Sequence, residues 1–174
     1  MWTFELDCFI KAIGIFLVYN IISCILFGIP SSLSETYYLF KEKNKYLGWL
    51  FTITMIFSAV CLMPCWIEIS EGSNFQFLSF LSAASIVFVG ATPAFKDCKL
   101  ESKVHTIGAI CAAIFALLWI IFVTKFWWII LVWCAICAIF AFSTKTFKSS
   151  YVYWFEMIEF GATFTTIILH FLIK

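Results

Sequence analysis

Six apolar runs, at about 8–29, 47–67, 75–95, 104–124, 126–142 and 151–173, fill most of this 174-residue chain. Roughly 17–25 apolar residues cross the hydrocarbon core of a bilayer, and lipid offers no partner to a backbone amide. Each run is therefore predicted to be a helix that closes its own hydrogen bonds. The gaps between them are short, and no stretch rich in Pro, Gly or Ser separates a second domain. The prediction is an all-α integral membrane protein, a single domain over 1–174 folded as a bundle of six transmembrane helices. Composition agrees: the chain is 64% hydrophobic and 12% charged, against about 45–50% and about 25% in soluble domains. A net charge of +1 gives no basic surface for nucleic acid. The acidic leader MWTFELD and the lack of a small-residue cleavage site argue against a cleaved signal peptide. The lipobox-like IISC at 21–24 is followed by further apolar residues.

Lysines set the expected orientation. All eleven positive residues are lysine, which removes the arginine fork that clamps phosphate. The connections after the first, third and fifth runs hold Lys41, Lys43, Lys45, Lys96, Lys99, Lys103, Lys145 and Lys148; the opposite side holds Lys125 and Lys174. Positive connections stay in the cytoplasm, so both termini are expected on the outer side. Trp66, Phe126, Trp127 and Trp128 would mark the outer interface, and Tyr46, Trp49, Tyr151, Tyr153 and Trp154 the inner one. Usage rich in Phe, Ile and Lys without arginine suggests an AT-rich genome, bacterial or phage, and the inner membrane of a bacterium as the location.

The last run is the least ordinary. It carries Glu156 and Glu159, about 8 Å and about 12 Å past Tyr151 along the helix axis, in the cytoplasmic half of the bilayer. A charged acid at the centre of a spanning helix costs on the order of 2.5–3.5 kcal/mol, so intramembrane acids default to function. Glu156, Glu159, Thr163, Thr166 and His170 are spaced three, four, three and four, within an arc of about 80°. That is one polar stripe, to be hidden from lipid. Threonines alone would suit a hydrogen-bonded seam between helices; two glutamates exceed what packing needs. Thr165 lies on the opposite face and is expected to be neutral to substitution.

Other polar residues are expected at the same level: Asp97 after the third run, His105 at the start of the fourth, and Ser34 and Glu35 in PSSLSET after the first. Ser32 and Glu35 also fit a capping box, and Asp97 could be solvated among Lys96 and Lys99. Asp97, His105 and Glu159 are the candidate metal ligands. A set dominated by hard oxygen suits Mg²⁺ or Ca²⁺. His105 and His170 lie at opposite ends, which excludes a multi-histidine site within one chain. The eight cysteines fall mostly inside apolar runs and are read as packing groups, including the pairs Cys61/Cys65 and Cys134/Cys137. Gly108, Ala109, Ala112, Ala113 and Ala116 form a small-residue surface for close helix approach, and Asn20 is expected to bond a neighbouring helix.

PSSLSET after the first run, VHTIGAICAAIF opening the fourth and EFGATFTT in the sixth resemble marks of the Frag/DRAM/Sfk-type six-helix membrane proteins. The matching positions are Ser34, Glu35, His105 and Glu159. The resemblance implies a role in lipid or GPI-anchor remodelling or membrane-lipid regulation. The chain departs from that family in its connection after the first helix, which is longer and non-cytosolic there but lysine-rich and cytoplasmic here.

Three functions remain open at this point. The inner cluster could bind a lipid head group or cation, as a regulator or a lipid hydrolase. The stripe could be a proton or cation path in a small transporter or channel, with a homo-oligomer enclosing the path. The chain could instead be a non-catalytic membrane subunit whose polar seam docks another protein. No HExxH, GxSxG or phosphate-cradling glycine loop is present.

Overall fold

The computed structural model describes residues 3–173, so Lys174 and the first two residues of the leader lie outside the described residues. The chain forms α1 (Phe4–Phe27), α2 (Thr36–Lys43), α3 (Trp49–Ile69), α4 (Phe77–Ala91), α5 (Lys99–Trp119), a π-helical turn over Ile120–Thr124, α6 (Trp128–Ser143) and α7 (Tyr151–Ile173). No strand occurs among the described residues. α1, α3, α7 and α5 with its π turn are long and apolar enough to cross a membrane, while α4 and α6 are shorter apolar helices.

Several boundaries differ from the apolar runs, each for a local reason. The connection after α1 is not plain loop. Gly28 ends α1 at a positive φ of 74° and returns its N–H to Cys24 O, Pro30 prevents the helix from resuming, and the short α2 follows. Ser32 Oγ accepts the Glu35 N–H at 3.1 Å, but the Glu35 carboxylate turns to Lys96 at 2.5 Å. Only half of the expected capping box forms. α4 stops at Ala91, four residues before the expected end, because Pro93 disfavours helical backbone at Thr92, whose φ and ψ are −118° and 56°. α5 starts at Lys99, five residues before the expected start, since nothing in KLESK breaks the helix and Cys98 before it is extended.

α1 packs on α3, α3 on α4, α4 on α5, and α6 on α7, with α7 returning to α5. Phe9 and Phe16 of α1 meet Phe164 and Phe160 of α7, with ring centroids 6.1 and 4.2 Å apart. Three connections gather at one end of the bundle. The Tyr38 hydroxyl accepts the Lys96 N–H at 2.7 Å, the first turn of α7 donates its Tyr153 N–H to Ser31 O at 3.1 Å, and Lys41 approaches Asp97 at 3.6 Å. At the other end Trp119 Nε1 donates to Ser70 Oγ at 2.7 Å and Cys65 Sγ to Glu5 O at 2.8 Å. The apolar helices thus alternate in direction along the chain, α5 and α7 run parallel, and the lysine-rich connections share one end.

Two of the expected interfacial aromatics belong to the core. Trp66 is 1% exposed and packs edge-on against Trp119. Tyr153 is buried and donates to Asn20 Oδ1 at 3.0 Å. Asn20 in turn reaches Met157 Sδ at 3.1 Å, bonding α1 to α7. All eight cysteines are free thiols.

Candidate functional site

α7 places its residues by the helical period. Phe160 and Phe164 face α1, and Gly161 and Thr165 face Trp133 of α6. The face left over, turned to the middle of the bundle, is the predicted polar stripe. Glu159, Thr163 and Thr166 are 7%, 2% and 0% exposed. The Thr163 and Thr166 hydroxyls meet no hydrogen-bond partner among the described residues, so no interhelical seam forms there. Thr165 does bond, accepting from Trp133 Nε1 at 2.9 Å. The expected neutrality of that position is corrected accordingly.

A cavity of about 400 Å³ opens between α5 on one side and α6 and α7 on the other, within the range of small-molecule sites. Phe51 and Met55 of α3 and Ile86 and Val89 of α4 form its back wall. Its mouth carries Ile110 and Ile114 of α5 and Val152 and Phe155 of α7, exposed by 55%, 48%, 38% and 69%. Polar groups enter this apolar space at Ser34, Glu156 and Glu159.

The two acids are held differently. Glu156 accepts the Leu33 N–H through Oε2 at 2.7 Å and so ties α7 to the connection before α2. The Glu159 carboxyl receives no hydrogen bond from the described residues and borders the cavity directly.

His105, 5% exposed, lies behind Ser34. Its Nε2 is 2.7 Å from Ser34 Oγ and its Nδ1 is 2.9 Å from Thr92 O. A carbonyl only accepts, so Nδ1 carries hydrogen, and in the neutral ring Nε2 is left to accept the Ser34 O–H. Phe95 stacks on the imidazole at 4.4 Å and fixes its plane. Thr92 O is available because α4 ends there, ahead of Pro93.

Two expected members do not join. Asp97 is a half-exposed surface residue beside Lys41, and Glu35 pairs with Lys96. The connection carrying them projects past the apolar helix ends, where lysines and water are better partners. Asp97, His105 and Glu159, the candidate metal ligands, do not come together. Both His105 nitrogens are engaged, and no group of three His, Cys, Asp or Glu among the described residues could hold an ion. His170 is partly buried at the far end of the stripe. The sequence reading missed the Thr92 carbonyl, for which Pro93 was the available signal, and the Leu33 amide, for which there was none.

No protein-family model, curated protein or solved structure matches the chain.

Proposed function

We propose that this protein binds a membrane amphiphile in the cavity between α5 and α7, with the acyl part against the apolar walls and a hydroxyl- or amine-bearing head group at Glu159. The observation that carries the reading is Glu159, 7% exposed, whose carboxyl borders an apolar cavity and receives no hydrogen bond among the described residues. A head-group donor there gives the carboxyl a hydrogen-bond partner inside an otherwise apolar cavity. The exposed isoleucines and Phe155 at the mouth suit entry from the bilayer side. The Frag/DRAM/Sfk-type resemblance favours the same ligand class, and the role would be lipid remodelling or regulation.

The reading includes six crossings, both termini on the outer side, and the inner membrane of a bacterium as the setting. α4 and α6 have 15 and 16 residues, about 22 and 24 Å at 1.5 Å per residue, short of a core about 30 Å thick. Local thinning absorbs a mismatch of that size at modest cost. The gathering of lysine-rich connections at one end supports the orientation.

The test uses the purified chain in vesicles containing a phospholipid with a diazirine in its acyl chain. Crosslinks should concentrate on Ile110–Ile114 and Val152–Phe155, and Ala113→Trp, which fills the cavity, should abolish them. Crosslinks spread equally over the lipid-facing residues of α1, and indifferent to Ala113→Trp, would leave only annular lipid. The unpartnered Thr163 and Thr166 hydroxyls favour a second reading, a hydrated proton path from Glu159 along α7. It requires proton flux into vesicles that Glu159→Gln stops.

A further inference from the structure

We propose that Ser34 and His105 are a nucleophile and base that cleave an acyl ester of the amphiphile held in this cavity. The inference rests on the binding reading above and adds a reaction to it. Ser34 stands between the two required neighbours: it borders the cavity, and its Oγ lies 2.7 Å from His105 Nε2. The second ring nitrogen is oriented by Thr92 O. Serine, base and orienting group are the three parts that activate a hydroxyl nucleophile, with a backbone carbonyl here in the orienting position. A serine needed only to satisfy a buried histidine has no reason to face an apolar cavity.

The chemistry balances without a further cofactor. Ser34 Oγ attacks the ester carbonyl carbon while its proton passes to His105 Nε2. Collapse of the tetrahedral intermediate breaks the bond to the alcohol, and Nε2 returns the proton to that leaving oxygen. Water then attacks the acyl-Ser34 ester, giving its proton to His105 Nε2, and the acid leaves as Ser34 Oγ is reprotonated. The Glu35 and Thr36 amides are taken up by Ser32 and Leu33 carbonyls and the Leu33 amide by Glu156. The Ser34 amide bonds no acceptor among the described residues and is the donor for the developing oxyanion. Glu156, through Leu33, is a positioning residue for this loop.

An alkyl fluorophosphonate tests the proposal, because its phosphorus accepts an activated serine oxygen and expels fluoride. Wild-type protein in vesicles should take up one adduct, mapped by mass spectrometry to Ser34, with Ser31 and Ser32 unmodified. His105→Gln should slow labelling by roughly 10²-fold, the low end of what a general base contributes. Ser34→Ala should abolish labelling. Because the adduct is mapped on the unaltered chain, a variant that misfolds does not decide the outcome. Wild-type protein that crosslinks lipid but stays unlabelled, or labels Ser31 and Ser32 as fast as Ser34, overturns the dyad and leaves lipid binding standing. Loss of the crosslinks as well would overturn both.

Discussion

Glu156 and Glu159 lie one turn apart on α7, yet their surroundings give them different tasks. Glu156 spends its carboxylate on the Leu33 amide at 2.7 Å, whereas Glu159 is bonded to nothing in the described chain and borders the cavity. Substitution separates them. Glu156→Gln keeps an acceptor for the Leu33 N–H and should unfold within about 0.5 kcal/mol of wild type, while Glu156→Leu strands that amide and should cost about 1–3 kcal/mol. Thermal unfolding in detergent measures both; equal effects would mean that the Leu33 contact does not anchor the loop. Asp97 is a contrasting case. Its approach to Lys41 at 3.6 Å is half-exposed on both sides, so Asp97→Asn should shift stability by less than about 1 kcal/mol.

At the scale of elements, α6 and α7 meet closely at Gly161. A Cβ on Gly161 would come within 2.5 Å of the Trp133 ring, and the same indole donates to Thr165. Gly161→Ala should therefore push the ring off its acceptor, costing about 1–3 kcal/mol in overpacking and about 1 kcal/mol for the lost hydrogen bond. Thr165→Val should cost the hydrogen bond alone. The ratio of the two in thermal unfolding checks the arrangement, and Gly161→Ala no worse than Thr165→Val would show that α6 gives way. The small-residue surface of α5 is milder: a Cβ at Gly108 would lie 3.2 Å from Ser85 O and 3.3 Å from Val89 Cγ2, so Gly108→Leu should destabilise while Val123→Leu stays nearly silent. The Gly108 surface and the inward face of α7 were legible in the sequence, because helical period alone fixes which residues share a side. The Gly161–Trp133 contact was not. It depends on which helix stands beside α7, and periodicity says nothing about neighbours. Trp66 illustrates the same limit, since its position near the end of an apolar run suggested an interface while α5 covers it with Trp119. Asp97 and Glu35 were placed at the correct end but not in the site, as their lysine partners outcompete a buried cavity for their charge.

For the whole molecule, the decisive property is which end of the bundle faces the cytoplasm. Ser34, His105 and Glu159 lie toward the end where the lysine-rich connections meet, so under the proposed function orientation determines which leaflet would supply the amphiphile. The charge asymmetry is concentrated: Lys41, Lys43, Lys45, Lys96, Lys99, Lys103, Lys145 and Lys148 at that end, against Lys125 and Lys11, the latter paired with Asp7 in the early turns of α1, among the described residues toward the other. Lysines flanking short connections resist translocation, and the proposed orientation rests on that bias. Single thiols introduced into a cysteine-free chain at Lys43 and Glu71, both exposed and at opposite ends of α3, report the two sides directly. An impermeant maleimide should label position 71 in intact cells and reach position 43 only after the membrane is opened. The native Cys98, exposed at the lysine-rich end, should behave as position 43 does when it is the one cysteine retained. Labelling of 43 and 98 but not 71 in intact cells would invert the bundle, and the cavity would then draw on the outer leaflet. Labelling of 43 and 71 alike in intact cells would mean that α3 does not cross, and a bundle of six spans could not stand.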